Sequence, residues 1–276
     1  MKIIVEYNDK GGVGKTFTAA TLGYLAAANG YPTLIVDTDT QGHIASAYGQ
    51  DKGSQVFRWM VSGKPLAEVV TPTAYPNLTT LLGNQTTELV DRHFLTAAEL
   101  EIEATGGKAS KFVTAVELAQ VRLNEIFDLR VEDKAIEYTF FDCPPRRSLL
   151  VEAVIGMADI VLIPLGMSPK EIEGAETAIV AVGKINPSAQ IVISPNRFEE
   201  RDDIETFDMK ALKAFKKEWN DGIIYADSIP SSKYVKKVED AHVPLWEWKG
   251  RKSDTLERVK TGYCTLFHLL DDMLKK

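Results

Sequence analysis

"YNDKGGVGKTF", residues 7–17, follows a short β-rich run, "KIIVEY" (2–7), and leads into a helical stretch over residues 14–29. Glycines at 11, 12 and 14 let the chain turn tightly and aim successive N–H groups at one point. The N-terminus of the following helix adds partial positive charge there, so the segment has the makings of a nest for phosphate oxygens. Within it, Lys15 is placed to reach β and γ phosphates and the Thr16 hydroxyl to bind Mg2+. The loop departs from the common pattern at its start. The position five residues before Gly14, ordinarily glycine, holds Asp9, and a second lysine, Lys10, follows at once. One chain's nucleotide needs only Lys15. A second ammonium at the mouth of the loop is suited to a phosphate held by a neighbouring subunit, and the bland alternative is a solvated loop lysine.

A strand–loop–helix unit of this kind implies an α/β fold, and the rest of the chain agrees. Apolar runs recur at 33–39, 138–144, 159–165, 190–196 and 222–230. They are continuous rather than alternating, as in strands covered on both faces. Helical stretches at 147–157, 170–185, 206–219 and 254–274 separate them. The expectation is a mostly parallel twisted sheet flanked by helices on both faces, with its ligand beyond the carboxyl ends of the strands. Polar residues gather at those ends: Asp9 to Lys15, Asp37 to Gln41, Asp142 to Arg147, and Asn196. Residues 86–135 read differently, as two helical patterns joined by "TGGKAS", an insertion on one domain spanning 1–276.

Composition narrows the class. The net charge of −7 argues against indiscriminate binding of polyanions by the whole surface, while leaving local patches open. Cys143 and Cys264 form neither a disulfide framework nor a metal motif, and no apolar run approaches membrane-spanning length. A cytoplasmic protein is expected.

"KGGVGKT" resembles the deviant Walker A motif of the ParA/MinD family of ATPases, in which the first lysine reaches across an ATP-sandwich dimer. The resemblance implies a P-loop NTPase that takes ATP and Mg2+. Gly11, Gly12, Val13, Gly14, Lys15, Thr16 and Phe17 would wrap the nucleotide, and Lys10 would act in trans on the partner's ATP as the γ-phosphoryl leaves. "IVDTDTQGH" (35–43) is similar to the family's D-x-D-P-Q-G segment, with Thr40 where proline is frequent. Spacing puts Asp37 and Asp39 on one face of a strand. By resemblance Asp39 positions the attacking water and Asp37 supports the magnesium shell. "YTFFDCPPRRS" (138–148) is similar to the family's Walker B region, which gives Asp142 the Mg2+ shell, while Arg146 and Arg147 are less usual there. Asn196 of "SPNRF" would read adenine's edge, or else form a turn, and Pro230 would begin the loop that covers the base. Two further segments, 158–175 and 229–247, also look like the family's; recognisable resemblance covers roughly 1–85 and 138–250.

The implied function is a switch. ATP assembles a homodimer, hydrolysis dissolves it, and a ParB-like or other activator or adaptor protein raises a weak intrinsic rate. Basic residues at Lys210, Lys213 and Lys217, and from Lys233 to Lys260, would give non-specific DNA binding and a place on the nucleoid. A membrane-associated MinD-like positioning ATPase is the competing assembly. The ending "TGYCTLFHLLDDMLKK" argues against it, because acidic Asp271 and Asp272 interrupt the polar face and the run reads as a helix docked on the sheet. A rival from another class is an ATP-dependent enzyme of amidation or ligation on the same scaffold, which would need a second substrate pocket.

Overall fold

The computed structural model describes residues 1–199 and 205–275. Strands are β1 (Lys2–Glu6), β2 (Thr33–Asp37), β3 (Thr71–Pro72), β4 (Leu78–Leu81), β5 (Arg130–Val131), β6 (Lys134–Ala135), β7 (Tyr138–Asp142), β8 (Ile160–Leu165), β9 (Gln190–Pro195) and β10 (Ile223–Tyr225). Helices are α1 (Lys15–Ala28), α2 (His43–Ala47), α3 (Gln55–Met60), α4 (Leu66–Val69), α5 (Leu89–Thr105), α6 (Lys111–Leu123), α7 (Leu149–Ile155), α8 (Pro169–Ile185), α9 (Phe207–Glu218), α10 (Lys233–Asp240) and α11 (Asp254–Met273).

Eight strands form one sheet in the order β10-β9-β8-β1-β7-β2-β4-β3, parallel except where β3 meets β4. The expected class, a mostly parallel sheet with helices on both faces, is the class observed. Strand alternation divides the core. Ile3 and Val5 of β1, with Tyr7 just beyond it, face one apolar cluster, shared with α3 to α9, and Ile4 faces a second, shared with α1, α2, α10 and α11. Continuous apolar runs follow from this: every residue of β2, β7 and β8 is buried, so no position can be polar without a partner or a purpose.

Expected elements shorten at their ends. The run read as a strand over 33–39 stops at Asp37, and Asp39 lies in the bend that follows, so the shared strand face expected for the pair does not extend to Asp39. Five elements of 40–85 carried no expectation: α2, α3, α4, the short strand β3 and the strand β4, which pairs in parallel with β2. The two helices expected in 86–135 are α5 and α6, followed by a 3-10 turn at Asn124–Asp128 and the β5–β6 hairpin. Val90, Phe94 and Ala98 of α5 and Ala115, Ala119 and Leu123 of α6 belong to the same apolar cluster as the sheet.

Helix α11 is docked on the sheet as its pattern indicated. Leu256, Val259, Tyr263, Leu266, Phe267 and Leu270 are buried against α1 and the strands, and Lys276, the end of that run, lies outside the described residues. Among the described residues no helix is long and apolar enough to cross a membrane.

Candidate functional site

Parallel strands bring their carboxyl ends to one edge, and there β1, β7 and β2 align Glu6, Asp142 and Asp37 in register. Alternation turns all three carboxylates to the α1 face, the side of Ile4, Phe140 and Ile35. Each is essentially removed from solvent, at 0%, 1% and 0% exposure. Asp37 is satisfied, its Oδ1 accepting the Asp39 N–H at 3.1 Å and its Oδ2 the Ile44 N–H at 3.0 Å. Neither oxygen of Glu6 or of Asp142 has a hydrogen-bond partner among the described residues; the Thr16 hydroxyl stands near Asp142 without hydrogen-bond geometry. Burial, then mutual repulsion with Asp142, raises Glu6 and Asp37 well above the ordinary carboxylate range. Asp142 is pushed up to about 7 by burial, moderated by the Thr16 hydroxyl and the Lys15 ammonium.

The phosphate-loop motif sits directly over this edge. Gly12 and Gly14 adopt φ values of 80° and 97°, left-handed conformations that side chains resist, and they curl the loop around the start of α1. The N–H groups of Gly11, Gly12, Val13 and Gly14 have no partner among the described residues, the donor array expected of an anion nest. Lys15 is 7% exposed and turns inward, donating to the carbonyls of Asn8 at 3.0 Å and Lys10 at 2.9 Å. Burial lowers its pKa while Asp142 opposes the shift. Lys10 is different: its side chain is exposed and makes no hydrogen bond or ion pair among the described residues. Thr16 and Phe17 open α1, and the Phe17 ring packs edge-on against Tyr263, 5.8 Å between centroids.

Asp39 is half-buried, and its Oδ1 accepts the Gln41 N–H at 2.9 Å. The chain between Asp37 and Asp39 is pinned to β7, since both the amide and the hydroxyl of Thr38 donate to the Asp142 carbonyl, at 3.0 and 2.8 Å. Beyond Asp142, Cys143 is fully buried, which pushes its thiol up, and is unpaired. Arg147 is exposed and pairs with Glu152 at 2.5 Å. Arg146 is also exposed, without a partner among the described residues; both line a cleft of about 260 Å³ with Thr38, Thr40 and Glu88.

Asn196 directly follows β9 and meets the phosphate loop, its Nδ2 donating to the Val13 carbonyl at 3.2 Å and its Oδ1 accepting the Arg197 N–H at 2.9 Å. Pro230 lies beside it through the bridge between Phe198 and Pro230. The structure thus gathers Lys10, the loop, Asp37, Asp39, Asp142, Asn196 and Pro230 at one end of the sheet. Glu6, Asn8 and Gly174 stand in the same place and carried no expectation. A carboxylate closing a buried strand was the available signal for Glu6; the other two become visible only through contacts distant in sequence.

Candidate DNA-binding side chains are at the surface. Lys210, Lys213 and Lys217 are exposed on α9, as are Lys249, Arg251 and Lys252. On α10, Lys236 pairs with Asp240, and Lys233 and Lys237 lie over the Tyr234 ring. The aromatic residues among these basic ones belong to the core: Tyr234 is buried, and Trp246, partly buried against the core, stacks on Tyr24.

Comparisons with known proteins bear on the family and the fold. The family model AAA_31, described as an AAA domain, matches residues 1–194, a span that includes 86–135. The chromosome partitioning protein ParA of Caulobacter vibrioides is 25% identical over 198 residues, 69% of this chain and 67% of that protein. ParA of Myxococcus xanthus is 31% identical over 176 residues, 63% of this chain and 55% of that one. Among solved structures, a complex of Cyanothece McdA with ATP superposes with a TM-score of 0.77 at 20% identity, covering 100% of this chain and 96% of the other. Cobyrinic acid a,c-diamide synthase of Mycobacterium smegmatis with a bound ATP analogue and magnesium gives 0.69 at 18%, covering 100% and 94%, and so shares the fold. With an AAA-domain match over its first 194 residues and partitioning proteins among its relatives, the chain belongs to the ParA/MinD family of deviant Walker A ATPases, on the ParA branch.

Proposed function

We propose that this chain is an ATP-dependent, dimerising ATPase switch that partitions or positions DNA or a protein cargo, working as one nucleotide-binding domain with a helical insertion at about 86–135. The observation that carries the reading is the division between the two loop lysines. Lys15 is buried and spends its donors on carbonyls inside the loop, whereas Lys10, at the loop's mouth, has an exposed side chain without a partner among the described residues. Carbonyl oxygens are the kind of acceptor that β and γ phosphate oxygens replace, so Lys15 serves its own nucleotide and Lys10 is free for a partner's.

The buried, partnerless oxygens of Asp142 beside the Thr16 hydroxyl fit a Mg2+ shell, with Asp37 behind them holding the Asp39 loop in place. Bound there, Mg2+ would neutralise phosphate charge and relieve the repulsion among the carboxylates. Asp39, one bend beyond the strand, orients the attacking water, and the loop N–H groups of Gly11 to Gly14 hold the phosphate oxygens. Asn196 and the segment starting at Pro230 flank the base. Lys10 completes the partner's cradle, so dimer formation and hydrolysis become linked. Such a switch works in the cytoplasm on the nucleoid, with weak turnover raised by an activator or adaptor protein.

The test is size-exclusion chromatography with light scattering, with ATP and Mg2+, alongside single-turnover hydrolysis. Asp39→Ala is expected to accumulate as an ATP-bound dimer with hydrolysis reduced on the order of a hundred-fold or more. Lys10→Ala is expected to bind ATP yet lose dimerisation and turnover. An Asp39→Ala protein that stays monomeric at saturating ATP sinks the proposal. The cleft beside Arg146 gives the ligating-enzyme alternative a place for a second substrate. Turnover that depends on a metabolite rather than on DNA and a protein activator would favour it.

A further inference from the structure

Lys10 reaches a partner only if its Cα–Cβ direction is fixed, and the loop glycines after it give little stiffness. Three contacts fix it in this structure. Its N–H donates to the Asn8 Oδ1 at 2.8 Å, its carbonyl accepts from Lys15 at 2.9 Å, and its Cβ abuts Gly174 on α8. Asn8 is itself fully buried and anchored, its Nδ2 donating to the Pro164 carbonyl at 2.9 Å. A Cβ built on Gly174 would lie 2.7 Å from the Asn8 Oδ1, 2.7 Å from the Lys10 Cβ and 3.1 Å from the Lys10 nitrogen. Any side chain at 174 would therefore intrude on the hydrogen bond that holds the Lys10 amide. These are atoms near the main chain, which do not swing aside as the end of a long side chain would. Glycine inside a helix costs about 1 kcal/mol relative to alanine, so a reason in packing is called for at this position.

We propose that Gly174 and Asn8 are positioning residues for Lys10: together they form a seat that aims its ammonium out of the loop toward the partner's nucleotide. The inference rests on the trans role of Lys10. It adds that α8, 17 residues long, is part of the catalytic apparatus through its backbone. When Lys15 turns to a phosphate, the Lys10 carbonyl loses that contact and the seat is what remains. Helix α8 also carries Glu171, which accepts from the Ser168 N–H and hydroxyl and pairs with Arg197, next to Asn196. The loop beside Asn196 and the residue that aims Lys10 thus share one rigid element.

Gly174→Ala tests the seat, with Gly183→Ala as control, because a Cβ at 183 on the same helix meets nothing within 4 Å. Two measurements are made on the full chain: hydrogen exchange of the Lys10 amide, and ATP hydrolysis under dimerising conditions. Gly174→Ala should accelerate exchange at Lys10 and lower kcat on the order of ten- to a hundred-fold, with KM for Mg-ATP within about two-fold. In a Lys10→Ala background the same change should cost no further turnover, since a residue that acts only through Lys10 has nothing left to position. Gly183→Ala should leave both measurements unchanged. Should Gly174→Ala fold poorly, Asn8→Ala removes the acceptor without adding an atom and is put through the same cycle. Wild-type exchange and turnover in Gly174→Ala, or a loss that adds in full to that of Lys10→Ala, overturns the seat. Full turnover in Lys10→Ala alone overturns the trans role instead, and the exchange measurement still reports whether the seat exists.

Discussion

Glu6 shows what one side chain costs when carboxylates crowd a buried sheet edge. It ends a buried strand beside Asp142, has no hydrogen-bond partner for its side chain among the described residues, and is held well above its ordinary value of 4.5 by burial and by that neighbour. A carboxyl whose folded pKa is raised contributes stability that is complete below the ordinary value and is lost as pH rises toward the folded one. Glu6→Gln has the same shape and nothing to ionise. It is expected to leave the melting temperature of the nucleotide-free protein unchanged near pH 4.5 and to raise it progressively at higher pH. The slope for one proton is at most about 1.4 kcal/mol per pH unit. Thermal unfolding at pH 5, 6.5 and 8 reads it. An equal shift at every pH would trace to packing rather than ionisation, and destabilisation at pH 8 would mean that Glu6 holds a stabilising contact in its ionised form. The same crowding acts on Asp142, pushed up to about 7. Binding of Mg-ATP should therefore stabilise the wild type more at pH 8 than at pH 6, where part of the gain goes to displacing a proton.

At the scale of elements, α11 closes the face that covers α1, and its far end is tied down by polar contacts rather than by apolar burial alone. Asp271, 7% exposed at its side chain, accepts from Lys2 at 3.0 Å and from the Tyr138 hydroxyl, and pairs with Lys275. Its own burial works against the charge, but the hydrogen bonds from Lys275, Tyr138 and Lys2 prevail and hold its carboxyl at about 2. A depressed carboxyl contributes stability above its ordinary value of 3.8 that is lost as pH falls toward 2. Asp271→Asn should lower the melting temperature at pH 7 by roughly a few degrees and flatten the acid limb of the stability profile. A mutant with the wild-type acid limb would place the clamp elsewhere. The sequence indicated that α11 docks on the sheet, because the ending "TGYCTLFHLLDDMLKK" has an apolar stripe whose polar face Asp271 and Asp272 interrupt. The clamp was invisible there, since Lys2 and Asp271 are 269 residues apart. β4 was missed for another reason. Its four residues, LTTL, are half polar in sequence yet wholly buried in the sheet, with Thr80 bonded to the Gln50 side chain and the Thr71 carbonyl. Apolar continuity cannot detect a strand in which a buried threonine finds its partners in a neighbouring loop and strand. The reading of Asp37 and Asp39 as one strand face failed beyond Asp37 because the strand ends where Thr38 turns its amide and hydroxyl to the Asp142 carbonyl.

For the molecule as a whole, the proposed DNA grip must overcome a net charge of −7, so it needs local patches that act together. Lys210, Lys213 and Lys217 are three and four residues apart and all exposed on α9, which places them along one face. A single protomer offers few phosphate contacts of this kind, and a dimer doubles them. Affinity for duplex DNA should therefore be strong only with ATP bound, in Asp39→Ala as in wild type, and should fall steeply with salt. Each neutralised phosphate contributes a slope of about −0.9 in log K against log salt. Lys213→Ala combined with Lys217→Ala should reduce that slope by roughly two to four, according to whether one or both lysines of each protomer touch phosphate. Affinity should fall equally for unrelated sequences, because no base edge is being read. Anisotropy titrations of a labelled duplex from 50 to 200 mM salt, about the range over which such binding collapses, measure slope and nucleotide dependence together. An unchanged slope in the double mutant would make α9 an ordinary solvated face. Equal affinity with ADP and ATP would separate DNA binding from the switch, because a grip built by dimerisation cannot persist once the nucleotide that joins the protomers is spent.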